Sequence, residues 1–146
     1  MLVIALAKHI AANVADCTFD ETAVTGNGFI ATMPSSPDLC WVLTPSGGIP
    51  WPGHGSIGTD EPTVQLRVRS VEFDPRPGLA LAEAIYRQII GLHAVTLDDG
   101  GPDEVYVTRT LALQTGPTSI GRDENQRPES TVNFAMRIRA LSAHRN

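Results

Sequence analysis

Apolar and polar positions change period several times along this chain. From residue 2 to 15, Val3, Leu6, Ala7, Ile10 and Val14 recur at helical spacing, while Lys8, His9 and Asn13 fall off that stripe. The pattern predicts an amphipathic helix over 2–15. Residues 16–27 read as a polar connection ending in Thr25-Gly26-Asn27-Gly28. A short strand is predicted from Phe29 to Met33, then a turn at Pro34-Ser35-Ser36-Pro37, then a buried strand over Leu39 to Leu43. From 63 to 70 the period becomes two. Val64, Leu66 and Val68 share one face, and Gln65, Arg67 and Arg69 share the other.

Asp74-Pro75-Arg76-Pro77 opens a second predicted helix, because proline suits a first turn. Leu81, Ala82, Ile85, Ile89 and Leu92 form its inner stripe, and Gly91 marks its end. A short apolar segment, Val95 to Leu97, leads into the turn Asp98-Asp99-Gly100-Gly101-Pro102. Residues 104–115 read as a long strand with Val105, Val107, Leu111 and Leu113 pointing inward and Arg109 among them. Gly116 to Pro128 is expected to be a polar connection. The last strand, 129–139, points Val132, Phe134, Met136 and Ile138 inward and Asn133, Arg137 and Arg139 outward. The tail 140–146 is expected to fray. The stretch 45–62 holds five glycines and four prolines and reads as a long loop, since such a segment does not sustain a helix or a central strand. Ile49 and Trp51 within it suggest docking on a neighbouring copy. The pattern predicts an α+β fold: two layers, with a mainly antiparallel or mixed sheet of about four to five strands packed by two helices.

Composition adds limits. The 146 residues suggest one domain over 1–146, and 42% apolar with 18% charged residues is a globular profile. The formal net charge of −5 argues against free nucleic acid as the obvious partner. Neither a signal peptide nor a membrane span is read from the first residues, so the chain is expected to work inside the cell that makes it. Cys17 and Cys40 fit no metal or redox spacing, and reduced thiols are the expectation.

Each template for chemistry fails on its own terms. The histidines at 9, 54, 93 and 144 are scattered, with no ligand spacing, so no metal is expected. Gly55-Ser56-Ile57-Gly58 is one residue short of a nucleophile elbow and lacks the strand-to-helix turn that the elbow needs. No glycine pair precedes a helix start with lysine, so no phosphate-binding cofactor is implied. Asp98, Asp99 and Asp103 lack the spacing of a calcium loop. Asp123 and Glu124, the available acid pair, sit in a connection where nothing raises a carboxyl pKa. No catalytic residue is assigned and no enzyme is expected. Arg67, Arg69, Arg137 and Arg139 would form one basic patch if their strands were neighbours. A solvated face with a few ion pairs, or a contact with an acidic surface of another subunit, is favoured over DNA.

Three segments together carry a resemblance. They are Glu61-Pro62-Thr63-Val64-Gln65-Leu66-Arg67-Val68-Arg69 after a Gly-Gly-Ile-Pro stretch; the helix 79–92 ending Ile89-Ile90-Gly91-Leu92-His93; and Leu113-Gln114-Thr115-Gly116-Pro117 through Arg122-Asp123-Glu124-Asn125-Gln126-Arg127-Pro128 into Val132-Asn133-Phe134. In this order and spacing the chain, over about 44–139, resembles the tail-terminator or tail-completion (minor capsid) family of long-tailed bacteriophages. The resemblance implies a homo-oligomeric ring, commonly hexameric, at the head-proximal end of the tail. It would stop tail-tube polymerisation and join tail to head. Its partners would be the tail tube protein and a head–tail connector protein, with DNA passing through the lumen unrecognised. Its place would be the virion, after assembly in the host cytoplasm, with no cofactor and no membrane. Candidate subunit contacts are Ile49, Trp51, His54, Arg67, Arg69, Arg122, Asp123, Glu124, Arg127, Arg137 and Arg139. The alternative is a head–tail connector or adaptor subunit, or another non-enzymatic binding module of the same fold.

Overall fold

The computed structural model describes residues 1–50 and 59–140. The chain forms α1 (Leu2–Asn13), β1 (Gly28–Ile30), β2 (Cys40–Pro50), β3 (Thr59–Arg69), α2 (Arg76–Ile90), β4 (His93–Leu97), β5 (Val105–Ala112), β6 (Thr118–Arg122) and β7 (Pro128–Ala140). Both helices form where the 3.6-residue period predicts them. The α1 stripe buries Val3, Leu6, Ala7 and Ile10, and α2 buries Leu81, Ala82, Ile85 and Ile89.

The expected two-layer sheet of four to five strands is not what forms. Seven strands make one sheet in the order β1-β2-β3-β7-β5-β4, with β6 also paired to β7, and the sheet curls into a half-barrel. The sheet is mixed, because β1 runs parallel to β2 while the other pairs are antiparallel. Helices and strands remain segregated, so the fold is α+β in the loose sense. Curling follows from length and slippage. The strands β2 and β3 have 11 residues each and β7 has 13, and the ladders slip at Pro45/Gly48, Val107/Arg109 and Ser119/Gly121. Twist accumulates along long strands, and each slip bends the sheet further.

The Gly/Pro-rich stretch is partly strand. Residues 45–50 continue β2 and residues 59–62 begin β3; the rest of the expected loop, 51–58, lies outside the described residues. Proline survives because β1 covers β2 only from Trp41 to Leu43, so Pro45 lies where β2 has become an edge. Gly48, at φ +133, sits so close to β3 that an added Cβ would lie 2.6 Å from the Glu61 carbonyl oxygen.

The inner face of the sheet carries Trp41, Leu43, Val64, Leu66, Val68, Val132, Phe134 and Met136, all packed with the helix stripes in one core. A smaller cluster of Phe29, Cys40 and Val42, with Met33 against it, lies apart from that core. Trp41 is fully buried, and its indole N–H donates to the Asn27 side-chain oxygen at 3.0 Å. Gly28 makes room for this ring, since an added Cβ would stand 2.2 Å from the indole.

The phase of β5 also differs from the expected one. Val105 and Val107 are buried, but the slip after Val107 inverts the alternation. Thr110 and Ala112 now face Met136 and Phe134, and Leu111 and Leu113 lie 58% and 55% exposed instead of inward.

Candidate functional site

Polar alternation on β3 and β7 places arginines on the face away from the helices, and there the chemistry concentrates. Arg69 is only 3% exposed. Its guanidinium donates from Nε to the Asp38 carbonyl at 3.0 Å, from Nη1 to that of Pro34 at 2.7 Å, and from Nη2 to that of Pro37 at 2.6 Å. The segment 31–39, with a cis Ser36–Pro37 bond, thus wraps a charge that burial would otherwise penalise. Arg127, also buried, donates from Nε to Asp123 at 2.8 Å and from Nη1 to the Ser35 carbonyl at 2.6 Å and Asp38 at 3.0 Å. Arg67 meets both carboxylate oxygens of Glu129 at 2.8 Å through one nitrogen, Nη2, and its Nε is shielded without an acceptor. Arg69 and Arg127 thus staple segment 31–39 to β3 and to the turn between β6 and β7, while Arg67 ties β3 to β7.

That turn is the charged connection 122–128 of the sequence. Asp123 organises it by accepting the backbone N–H groups of Asn125 at 3.0 Å and Arg127 at 2.8 Å. Burial pushes the Asp123 carboxyl up, but the hydrogen bonds and charge of Arg127 outweigh that and hold it below the ordinary carboxylate value. Beside the turn, Phe73 is 61% exposed in a left-handed conformation (φ 61), with its N–H donating to the Gln126 carbonyl at 2.9 Å. An open depression of about 480 Å³ separates segment 31–35 from the turn, with Met33, Arg67, Arg127 and Glu129 in its wall. The Arg69 and Arg127 guanidiniums there are held by protein acceptors, so the depression is a braced groove, with little free charge to grip an anion.

The candidate contact residues therefore separate. Arg67, Arg69, Asp123 and Arg127 come together around the staple, whereas Arg122, Glu124 and Arg139 are exposed. The four strand arginines do not form one patch. The strands are neighbours, but they run antiparallel: Arg67 and Arg69 pair with Thr131 and Glu129, and Arg139 pairs with Thr59. Thr131 and Arg137 are six positions apart along β7, about 20 Å of strand. Arg137 instead lies 3.9 Å from Glu61. Ile49 pairs with Glu61 in the β2–β3 ladder, and Trp51 and His54 lie outside the described residues.

The other weighed groups are used locally. Asp98 and Asp103 each bind Lys8 Nζ at 3.2 Å. His9 meets Gln88 at 2.9 Å, and burial holds its imidazole below the usual value. Ser56 of the elbow-like sequence lies outside the described residues. Among the described residues no group of three His, Cys, Asp or Glu converges as metal ligands. Both cysteines are free and buried, and burial together with Asp16 pushes the Cys17 thiol up to about 12.

Sequence reasoning missed β6, because Thr-Ser-Ile-Gly-Arg has no period. It also missed Asn27, whose side chain binds Trp41, Thr18 and the Asp16 carbonyl. The only signal for that hub was the Asn27-Gly28 pair. A family model described as bacteriophage tail terminator protein matches residues 12–139. No curated protein matches the chain significantly.

Proposed function

Because the chain belongs to the bacteriophage tail terminator family, whose members are structural components of the tail, we propose that it assembles into a hexameric ring at the head-proximal end of the tail. There it stops polymerisation of the tail tube and joins the tail to the head. One ring face meets the tail tube protein and the other meets a head–tail connector protein. The reading places the chain in the virion after assembly in the host cytoplasm. No described helix is long and apolar enough to cross a membrane.

The observation that carries this reading is apolar surface left open. Leu111, Leu113 and Ile120 are each more than half exposed along one sheet edge. Leu111 and Leu113, two positions apart, form an apolar pair of the kind that contact surfaces cover. The role requires complementary surfaces and no catalysis. DNA would cross the lumen without sequence readout, and the net charge of −5 favours weak contact with phosphate.

Immunogold electron microscopy of assembled particles tests the proposal. Label is expected at one end of the tail only, and phage lacking the protein should make tubes of uncontrolled length that fail to join heads. Label on tailless heads would favour the connector or adaptor reading. Label spread along the tube, or normal tails without the protein, would overturn the terminating role.

A further inference from the structure

The sheet curls so far that its two terminal strands meet the same helix. In the order β1-β2-β3-β7-β5-β4, β1 and β4 stand at opposite ends, and no described ladder joins them. Helix α1 packs on β1 and β2 at one end and on β4 at the other. It therefore spans the open side of the half-barrel. Both terminal strands are short, with three residues in β1 and five in β4, against 11 in β3 and 13 in β7. Short strands with few ladder bonds are the parts of a sheet that open first. Packing at the β1 end is also incomplete. An open concavity of about 230 Å³ there is lined by Ile4 of α1 together with Phe19, Phe29 and Ile30.

One side chain reaches both ends. Lys8 is the chain's single lysine. Its Nζ lies 3.0 Å from Glu21, 3.2 Å from Asp98 and 3.2 Å from Asp103. Glu21 belongs to the connection that flanks β1 through the Phe19–Gly28 bridge and the Gly28 N–H bonded to the Thr18 carbonyl. Asp98 directly follows β4, and Asp103 stands two positions before β5. Along the chain these two carboxylates are 90 and 95 positions from Lys8. An ammonium fans out three donors, so it can meet three carboxylates from separate segments, which a planar guanidinium does not match. Lys8 is 28% exposed, and Asp98 and Asp103 are 17% and 14% exposed, so water screens the cluster only in part. Asp103 also accepts the Met1 ammonium at 2.6 Å, and Asp98 accepts the Asp103 N–H at 2.9 Å.

We infer that Lys8 is the pin of an ionic strap across the open side of the half-barrel, holding the β1 end and the β4 end together so that loosening one loosens the other. The centre of the sheet, at β3 and β7, stays paired when the strap yields. Without the ammonium, three carboxylates face one another and push the two ends apart. Salt weakens the strap by screening the same contacts. The strap works within one chain and needs no ring.

Amide hydrogen exchange of the purified full chain, read by mass spectrometry, tests the strap. Lys8→Met should speed exchange about three- to ten-fold in both β1 and β4, while β3 and β7 keep their protection. Lys8→Arg should restore only part of the difference. Glu21→Gln is the decisive variant, and it decides alone if Lys8→Met fails to fold. Its side chain is 54% exposed, so the fold tolerates the change, and its link to the β4 end runs through Lys8. Exchange in β4 should rise about two- to five-fold in this variant, although the altered residue flanks β1. In about 1 M salt, where the screening length falls to about 3 Å, wild type should lose the protection that separates it from Lys8→Met. Acceleration by Glu21→Gln that is absent, or confined to residues 16–30, would overturn the strap. Equal acceleration in β3 and β7 would overturn it too, by making Lys8 a prop of the whole fold, and so would a wild-type advantage that salt leaves intact.

Discussion

Trp41 and Arg69 lie almost side by side in the β2–β3 ladder, where Trp41 pairs with Val68 and Cys40 with Arg69. Both are buried, one at 0% exposure and the other at 3%. Their burial rests on opposite physics. Trp41 faces the helices, fills the space that Gly28 leaves open, and satisfies its single donor with Asn27. Arg69 faces away from the helices and is held by three backbone carbonyls from a segment with little secondary structure. The inner region tolerates change as far as volume and apolar surface are conserved. In the outer region the geometry of a few charged hydrogen bonds decides, because three carbonyls arranged around one guanidinium lose their donors together.

The largest effect should come from emptying the inner site. Trp41→Ala removes an aromatic ring from a packed core and takes one donor from the Asn27 oxygen, which keeps the Thr18 N–H. A loss of about 3–5 kcal/mol is expected, read from urea unfolding midpoints. A loss below about 1 kcal/mol would show that the ring is not the keystone of the β1–β2 pairing. Arg69→Met tests the outer site. It keeps much of the side-chain length and removes the donors, so about 2–4 kcal/mol is expected, lower where water reaches the freed carbonyls. Arg69→Lys should recover only part of it, because one ammonium does not reproduce the planar fork. If Lys restored full stability, charge alone would hold segment 31–39, and the contrast with Trp41 would be one of polarity and not of geometry.

Much of the inner region was legible in the sequence. The helix stripes, the alternation of Val64, Leu66 and Val68, and that of Val132, Phe134 and Met136 follow from periods of 3.6 and 2 and hold in the structure. The outer region was legible only as a list of polar positions. Alternation states that Arg69 leaves the core face, and it does not state that residues 34–38 fold over it. That contact joins positions more than thirty residues apart through backbone atoms, which carry no side-chain signature. The inverted phase of Leu111 and Leu113 was hidden for a related reason. A one-residue slip in a ladder is a property of two strands, and Thr108 in the sequence of β5 looks like any other polar position. The stretch 45–50 misled through composition, since Gly48 serves a close strand approach and not a loop.

The smallest effect sharpens the comparison from the side of charge. Asp123 closes the staple by accepting from Arg127 through both backbone and side chain. Although burial pushes its carboxyl up, those bonds leave it below the ordinary value of 3.8. A carboxyl depressed in the folded state contributes stability that is present above its unfolded pKa and is lost as pH falls through the folded value. Asp20, Asp74 and Asp103 are depressed as well, so wild type should lose stability in acid for several reasons at once. Asp123→Asn isolates one share. The variant should be less stable than wild type near neutral pH, and the gap should narrow as pH drops below about 4, where wild-type Asp123 takes up its proton. Urea midpoints at a series of pH values measure this. Trp41→Ala run in the same series should keep a gap that hardly changes with pH, since no charge is altered there. A constant gap for Asp123→Asn would mean that the turn is held by hydrogen-bond geometry without help from the carboxylate charge. The outer region would then differ from the inner one in direction of contact only.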